Sequence, residues 1–95
     1  MEAYNQIAAT AATYPAISKV ILFGSRARGT ASRVSDIDLC VFCEDDRDFN
    51  HFYMDMEEID IIYHIDVVQY HTISSDFLLA EIARDGVVLY ERGAN

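Results

Sequence analysis

The sequence predicts a single α/β (α+β) domain spanning residues 1–95, with a mixed sheet of about four strands flanked by helices. Three observations predict it. Short apolar runs of strand length recur along the chain, at 19–23, 36–43, 61–70 and 87–90. Segments with apolar residues at helical spacing alternate with them. Hydrophobic residues are 52% of the chain and charged residues 24%, enough apolar material for one core and an ordinary polar surface.

Tyr4, Ile7, Ala8 and Ala11 mark the first helix over residues 2–13, and Pro15 ends it. Lys19 to Phe23 reads as a buried strand that stops at Gly24-Ser25. Ser25 is placed to cap a short helical turn, Arg26-Ala27-Arg28, closed by Gly29. Residues 32–35 read as a loop. Asp36 to Cys43 forms the second strand, and its period of two sends Asp36 and Asp38 to one face and Ile37, Leu39 and Val41 to the other.

Glu44 to Asp48 is expected as a solvated acidic turn; it lacks the length and glycine of a calcium loop. Phe49, Phe52, Tyr53, Met56 and Ile59 follow at helical spacing and mark a helix whose first turn is favourably acidic. Ile61 to Tyr70 is the third strand, on which Asp66 shares a face with His64 and Val68. Ser74 or Ser75 caps a helix carrying Phe77, Leu78, Ile82 and Ala83, with Gly86 as its stop and Val87 to Tyr90 as the last strand.

Charge narrows the partners. Sixteen acidic against seven basic residues give a net charge of −9, so a polyanionic backbone would be repelled and general nucleic-acid binding is excluded. Three of the basic residues, Arg26, Arg28 and Arg33, fall between the glycine-serine turn and the aspartates. That local cluster suits one small anion. Cys40 and Cys43 lie three apart on one strand and face opposite ways, so they read as buried thiols before they read as a metal knuckle. No signal segment or membrane-length apolar run is present, and the expected location is cytoplasmic.

The chemistry is concentrated in one constellation. Gly24-Ser25 follows a strand, ten residues separate it from Asp36-Ile37-Asp38 at the head of the next, and Asp66 lies inside the third. Carboxylates brought together this way repel unless a cation intervenes. Magnesium takes few oxygens from protein and completes its shell with water and substrate phosphates, so three aspartates suit one or two such ions. Backbone N–H groups at the turn suit the phosphates themselves.

The run Gly24-Ser25-Arg26-Ala27-Arg28-Gly29, then Asp36-Ile37-Asp38-Leu39, then Ile65-Asp66-Val67-Val68, resembles the minimal nucleotidyltransferases of the polymerase-β-like superfamily. The small members include MNT-type antitoxins paired with HEPN toxins. The ending Asp85-Gly86-Val87-Val88-Leu89-Tyr90-Glu91 is similar to theirs as well.

The resemblance implies a nucleotidyltransferase-like fold and transfer of a nucleoside monophosphate, AMP from ATP, to a hydroxyl of a partner protein. It implies Asp36 and Asp38 as primary ligands of Mg²⁺, and Asp66 as the third carboxylate, binding a second ion or acting as base. Gly24 and Ser25 would meet the nucleotide phosphates. Arg26 and Arg28 either join them or form a solvated, ion-paired helix face. His64 is either a partner of Asp66 or an exposed strand histidine.

The chain has room for the nucleotide half of a transferase, so the acceptor is expected on a HEPN-type toxin in a homo- or hetero-oligomer. Two other readings remain open. One is a non-catalytic antitoxin that masks its partner through an aromatic surface; the other is a small-molecule, antibiotic nucleotidyltransferase.

Overall fold

The computed structural model describes residues 2–30, 36–59 and 62–93. The expected loop at 32–35, Arg33 and the start of the expected third strand at Ile61 lie outside the described residues. The elements run α1 (Glu2–Ala12), β1 (Ile17–Phe23), α2 (Ser25–Arg28), β2 (Ile37–Cys43), α3 (Asp46–Glu58), β3 (Ile65–Gln69), α4 (Asp76–Asp85) and β4 (Val87–Glu91), with a single 3₁₀ turn at Tyr70–Thr72 before α4. The fold is α+β, as the alternation of patterns predicts.

The four strands form one mixed sheet in the order β3-β2-β1-β4. β1 is antiparallel to both β2 and β4, while β2 and β3 are parallel. A parallel pair needs a crossover, and α3 supplies it. Period-two alternation divides each strand between two layers. Val20, Leu22, Ile37, Leu39 and Val41 pack beneath α1 and α3 with Ile7 and Phe52, all nearly or fully buried. Ile21, Phe23 and Cys40 face the other way and meet Ile82 of α4.

Helix ends follow local chemistry, with two departures from expectation. The acidic stretch 44–48 is not a free turn: Asp45 is the N-cap of α3, its carboxylate accepting from the N–H groups of Arg47 (2.8 Å) and Asp48 (3.2 Å). Asp46 and Asp48 then sit in the first turn, where the helix dipole favours negative charge. The acidic first turn is as the sequence leads one to expect; the Asp45 cap is not, because the apolar period begins only at Phe49.

Ser25 is likewise not a cap. It is the first residue of α2, and Gly24 holds the cap position without any side-chain bond. The other ends behave as expected. Ser75 caps α4 by accepting from Leu78 N–H at 3.2 Å, and the Gly86 N–H closes it on Ile82 O at 2.9 Å.

The third strand is shorter than its apolar run, because Tyr70 turns into the 3₁₀ segment. Both cysteines are free and buried on opposite faces, and burial pushes the Cys40 thiol up to about 11. Among the described residues no helix is long and apolar enough to cross a membrane.

Candidate active site

β1 ends beside the head of β2, since Phe23 pairs with Asp38 across the antiparallel ladder. The next residue, Gly24, adopts φ 77° and ψ −158°, a backbone region open in practice to glycine alone. Its surroundings make the same demand, because a Cβ at position 24 would stand 2.3 Å from Asp38 Oδ2. The Gly24 carbonyl accepts from Ala27 N–H (3.1 Å) and Arg28 N–H (3.2 Å), which winds α2. Gly29, at φ 77°, ends it in the left-handed conformation expected of a C-terminal glycine. The turn and the carboxylate therefore share one corner.

Register brings two of the three aspartates side by side. Asp38 lies directly beside Asp66 across the parallel β2–β3 pair. Neighbouring strands are about 4.8 Å apart, so the two side chains rise together on the α4 side of the sheet. Asp36, exposed, precedes β2 and has the same parity as Asp38. Asp38 is half-buried, and its carboxyl is raised above the ordinary carboxylate range. Burial is the main cause, followed by the charges of Asp66, Asp36 and Glu81, with Arg28 acting the other way.

A divalent cation would remove that repulsion, and the donors are the hard oxygens that Mg²⁺ prefers. The residues present therefore fit such an ion chemically. They are not closed into a finished shell: among the described residues no three acidic, histidine or cysteine side chains converge closely enough to hold an ion as they stand. One Asp66 oxygen, Oδ1, is engaged instead by His64 Nε2 at 2.8 Å.

Two arginines of α2 border this corner. Arg28 Nη1 pairs with Glu81 Oε1 at 3.0 Å and ties α2 to α4. Of the two readings open for Arg28, the structure displays the ion pair. The Arg26 guanidinium lies 4.3 Å above the ring of Tyr63, a cation–π contact that joins α2 to the entrance of β3. Arg33 lies outside the described residues.

Sequence reasoning missed Glu81 and Tyr63. Both reach the site through tertiary contacts, and nothing in their local spacing marks them.

A cavity of about 330 Å³ lies at the far end of β2, lined by Ala16, Ser18, Phe42, Glu44, Tyr70 and His71. Phe42 and Tyr70 stack there with ring centroids 4.1 Å apart. Its lining at Phe42 and Tyr70, at the opposite ends of β2 and β3 from Asp38 and Asp66, separates it from the acidic corner.

Comparison with known proteins gives the same outline. A search of curated proteins finds no sequence match. Among solved structures, a toxin–antitoxin with AMP-PNP superposes with TM-score 0.74 at 23% identity, over 95% of this chain and 74% of that one. A nucleotidyltransferase from Sulfolobus solfataricus, itself assigned only provisionally, gives 0.57 at 25% identity, over 95% and 78%. A chain from the complex of tri-AMPylated Shewanella oneidensis HEPN toxin with MNT antitoxin gives 0.60 at 19%, over 93% and 69%. The family model described as "Polymerase beta, Nucleotidyltransferase" matches residues 5–95. This chain belongs to the polymerase-β nucleotidyltransferase family and is a nucleotidyltransferase domain of that kind.

Proposed function

We propose that this protein is a Mg²⁺-dependent adenylyltransferase that moves AMP from ATP onto a hydroxyl of a HEPN-type toxin and so acts as its antitoxin. The observation that carries the reading is the register of Asp38 beside Asp66, with Gly24 packed against the Asp38 carboxylate. The choice of AMP and of the partner draws support from the similar structures, one a toxin–antitoxin with AMP-PNP and one containing an AMPylated HEPN toxin.

In this reading Asp36, Asp38 and Asp66 hold one or two Mg²⁺ ions, which when bound neutralise the triphosphate and the leaving pyrophosphate. Gly24 and Ser25 seat the phosphates against the turn, with Arg26 and Arg28 flanking them once Arg28 leaves Glu81. The acceptor oxygen attacks the α-phosphorus, the bond from that phosphorus to the β-phosphate oxygen breaks, and pyrophosphate departs. The hydroxyl proton passes to solvent water, while Asp66, whose Oδ1 is engaged by His64, keeps Oδ2 for the metal. The 95 residues act as one cytoplasmic domain, and the toxin supplies the acceptor side of the site.

ATP labelled at the α-phosphate, incubated with Mg²⁺, this protein and a HEPN-type partner, is expected to label the partner. ATP labelled at the γ-phosphate is expected to leave it unlabelled. No α-label on the partner would refute the activity.

A second reading has its own observation. Tyr53 and Met54 on α3 and Phe77 on α4 are large, exposed side chains suited to masking a partner by binding alone. Neutralisation by an Asp36→Asn/Asp38→Asn variant, and its loss on changing Tyr53 or Phe77, would favour that reading.

A further inference from the structure

We propose that His64 is a positioning residue that fixes the Asp66 carboxylate for a divalent cation shared with Asp36 and Asp38. The inference rests on the reading of those three aspartates as metal ligands.

Residue 64 is tied to each part of the site. Its carbonyl accepts the Ile37 N–H at 2.9 Å, and that amide lies between Asp36 and Asp38. Its neighbour Tyr63 lies under the Arg26 guanidinium, two residues beyond the Gly24 turn. Its own ring places Nε2 2.8 Å from Asp66 Oδ1. The backbone anchor fixes where the imidazole starts, and the two-residue spacing puts it on the same face as Asp66. An ionised carboxylate can only accept, so Nε2 carries the proton in this contact, in the neutral tautomer or the cation alike.

Stability does not account for the contact. The His64 side chain is 69% exposed and that of Asp66 52% exposed, and ion pairs or hydrogen bonds in such settings contribute little to folding. What the contact does change is freedom. An unheld aspartate samples three χ1 wells and a broad, two-fold χ2. With Oδ1 held, one orientation is selected and Oδ2 remains to serve as donor. Partners of this kind orient metal-binding carboxylates, and their loss typically costs about 10–100-fold in metal affinity or activity.

The test is binding of the Mn²⁺ complex of a non-hydrolysable ATP analogue, followed by calorimetry. His64→Ala is expected to weaken binding about 10-fold without moving the thermal midpoint of the ligand-free protein. His64→Gln, which keeps an N–H donor at similar reach, is expected to restore most of that loss. Because His64 acts only through Asp66, His64→Ala/Asp66→Asn is expected to bind no more weakly than Asp66→Asn alone.

Wild-type affinity in His64→Ala, or additive losses in the double variant, would overturn the proposal. If Asp36→Asn/Asp38→Asn abolishes binding while His64→Ala binds like wild type, the role of His64 alone falls. If the aspartate variant binds like wild type, or wild type does not bind, the metal-site reading falls with it.

Discussion

Gly24 and Asp38 are in such close contact that no side chain fits between them: a Cβ at position 24 would lie 2.3 Å from Asp38 Oδ2. The same residue sits at φ 77°, so both space and backbone select glycine. Gly24→Ala is therefore expected to cost about 1–3 kcal/mol of stability from the backbone region alone. Displacing Asp38 should lower AMP transfer about 100-fold even where the variant remains folded. Thermal unfolding and single-turnover transfer measured on one preparation separate the two effects. Unchanged transfer by a folded Gly24→Ala protein would show that the contact is incidental.

Asp38 makes a pH prediction. Its carboxyl is raised in the folded protein, first by burial and then by Asp66, Asp36 and Glu81. A raised acid favours folding while protonated, below its unfolded value near 3.9. That contribution is lost as pH rises through the elevated folded value. At pH 7 the metal-free protein carries the like-charge penalty, and Asp38→Asn should relieve it. After allowance for solvent screening, the gain in Tm is about 2–5 °C. Mg²⁺ should raise the Tm of the wild type and not that of the variant. A lower Tm for metal-free Asp38→Asn at neutral pH would contradict this electrostatic account.

The opposite side of the sheet holds a second titrating group. Tyr14 donates its hydroxyl to Asp55, and this bond, helped by burial and by the charges of Asp55 and Asp48, pushes the phenol up to about 12. The bond's stabilisation is complete below the ordinary phenol value near 10 and disappears as pH rises through about 12. Tyr14→Phe should cost about 0.5–1.5 kcal/mol at neutral pH and flatten the loss of stability between those values. Denaturant midpoints across that interval provide the check.

Gln69 joins the end of β3 to the start of α3. Its buried amide donates from Nε2 to Cys43 O at 2.8 Å and to Asp46 Oδ1 at 3.1 Å. Gln69→Leu would leave the Cys43 carbonyl without this donor and is expected to cost about 1–3 kcal/mol. The chemical-denaturation midpoint should fall with no change in slope.

These residues also show what the sequence could and could not reveal. Parity along a strand is local, so Asp36 and Asp38 could be assigned to one face and the two cysteines to opposite faces. The pairing of Asp38 with Asp66 depends on β2–β3 register across the α3 crossover, a long-range choice that no local pattern encodes. The likeness to a known family supplied that link. Glu81 enters through α4, where its own helix marks it only as a polar surface position, and its ion pair with Arg28 is a tertiary contact. Ser25 and Glu44–Asp48 misled for one reason. Capping is decided by backbone geometry at the first turn: Gly24 holds the position one step before Ser25, and Asp45 caps a helix that starts ahead of its first apolar residue, Phe49.

The proposed reaction at the Gly24 turn and the three aspartates is transfer of AMP to a protein hydroxyl. Intact-mass spectrometry of a HEPN-type partner, after incubation with ATP, Mg²⁺ and this protein, tests it most directly. Mass increments of AMP are expected on the partner, absent when Asp36→Asn/Asp38→Asn replaces the wild type. An unmodified partner, or equal modification by that variant, would contradict it.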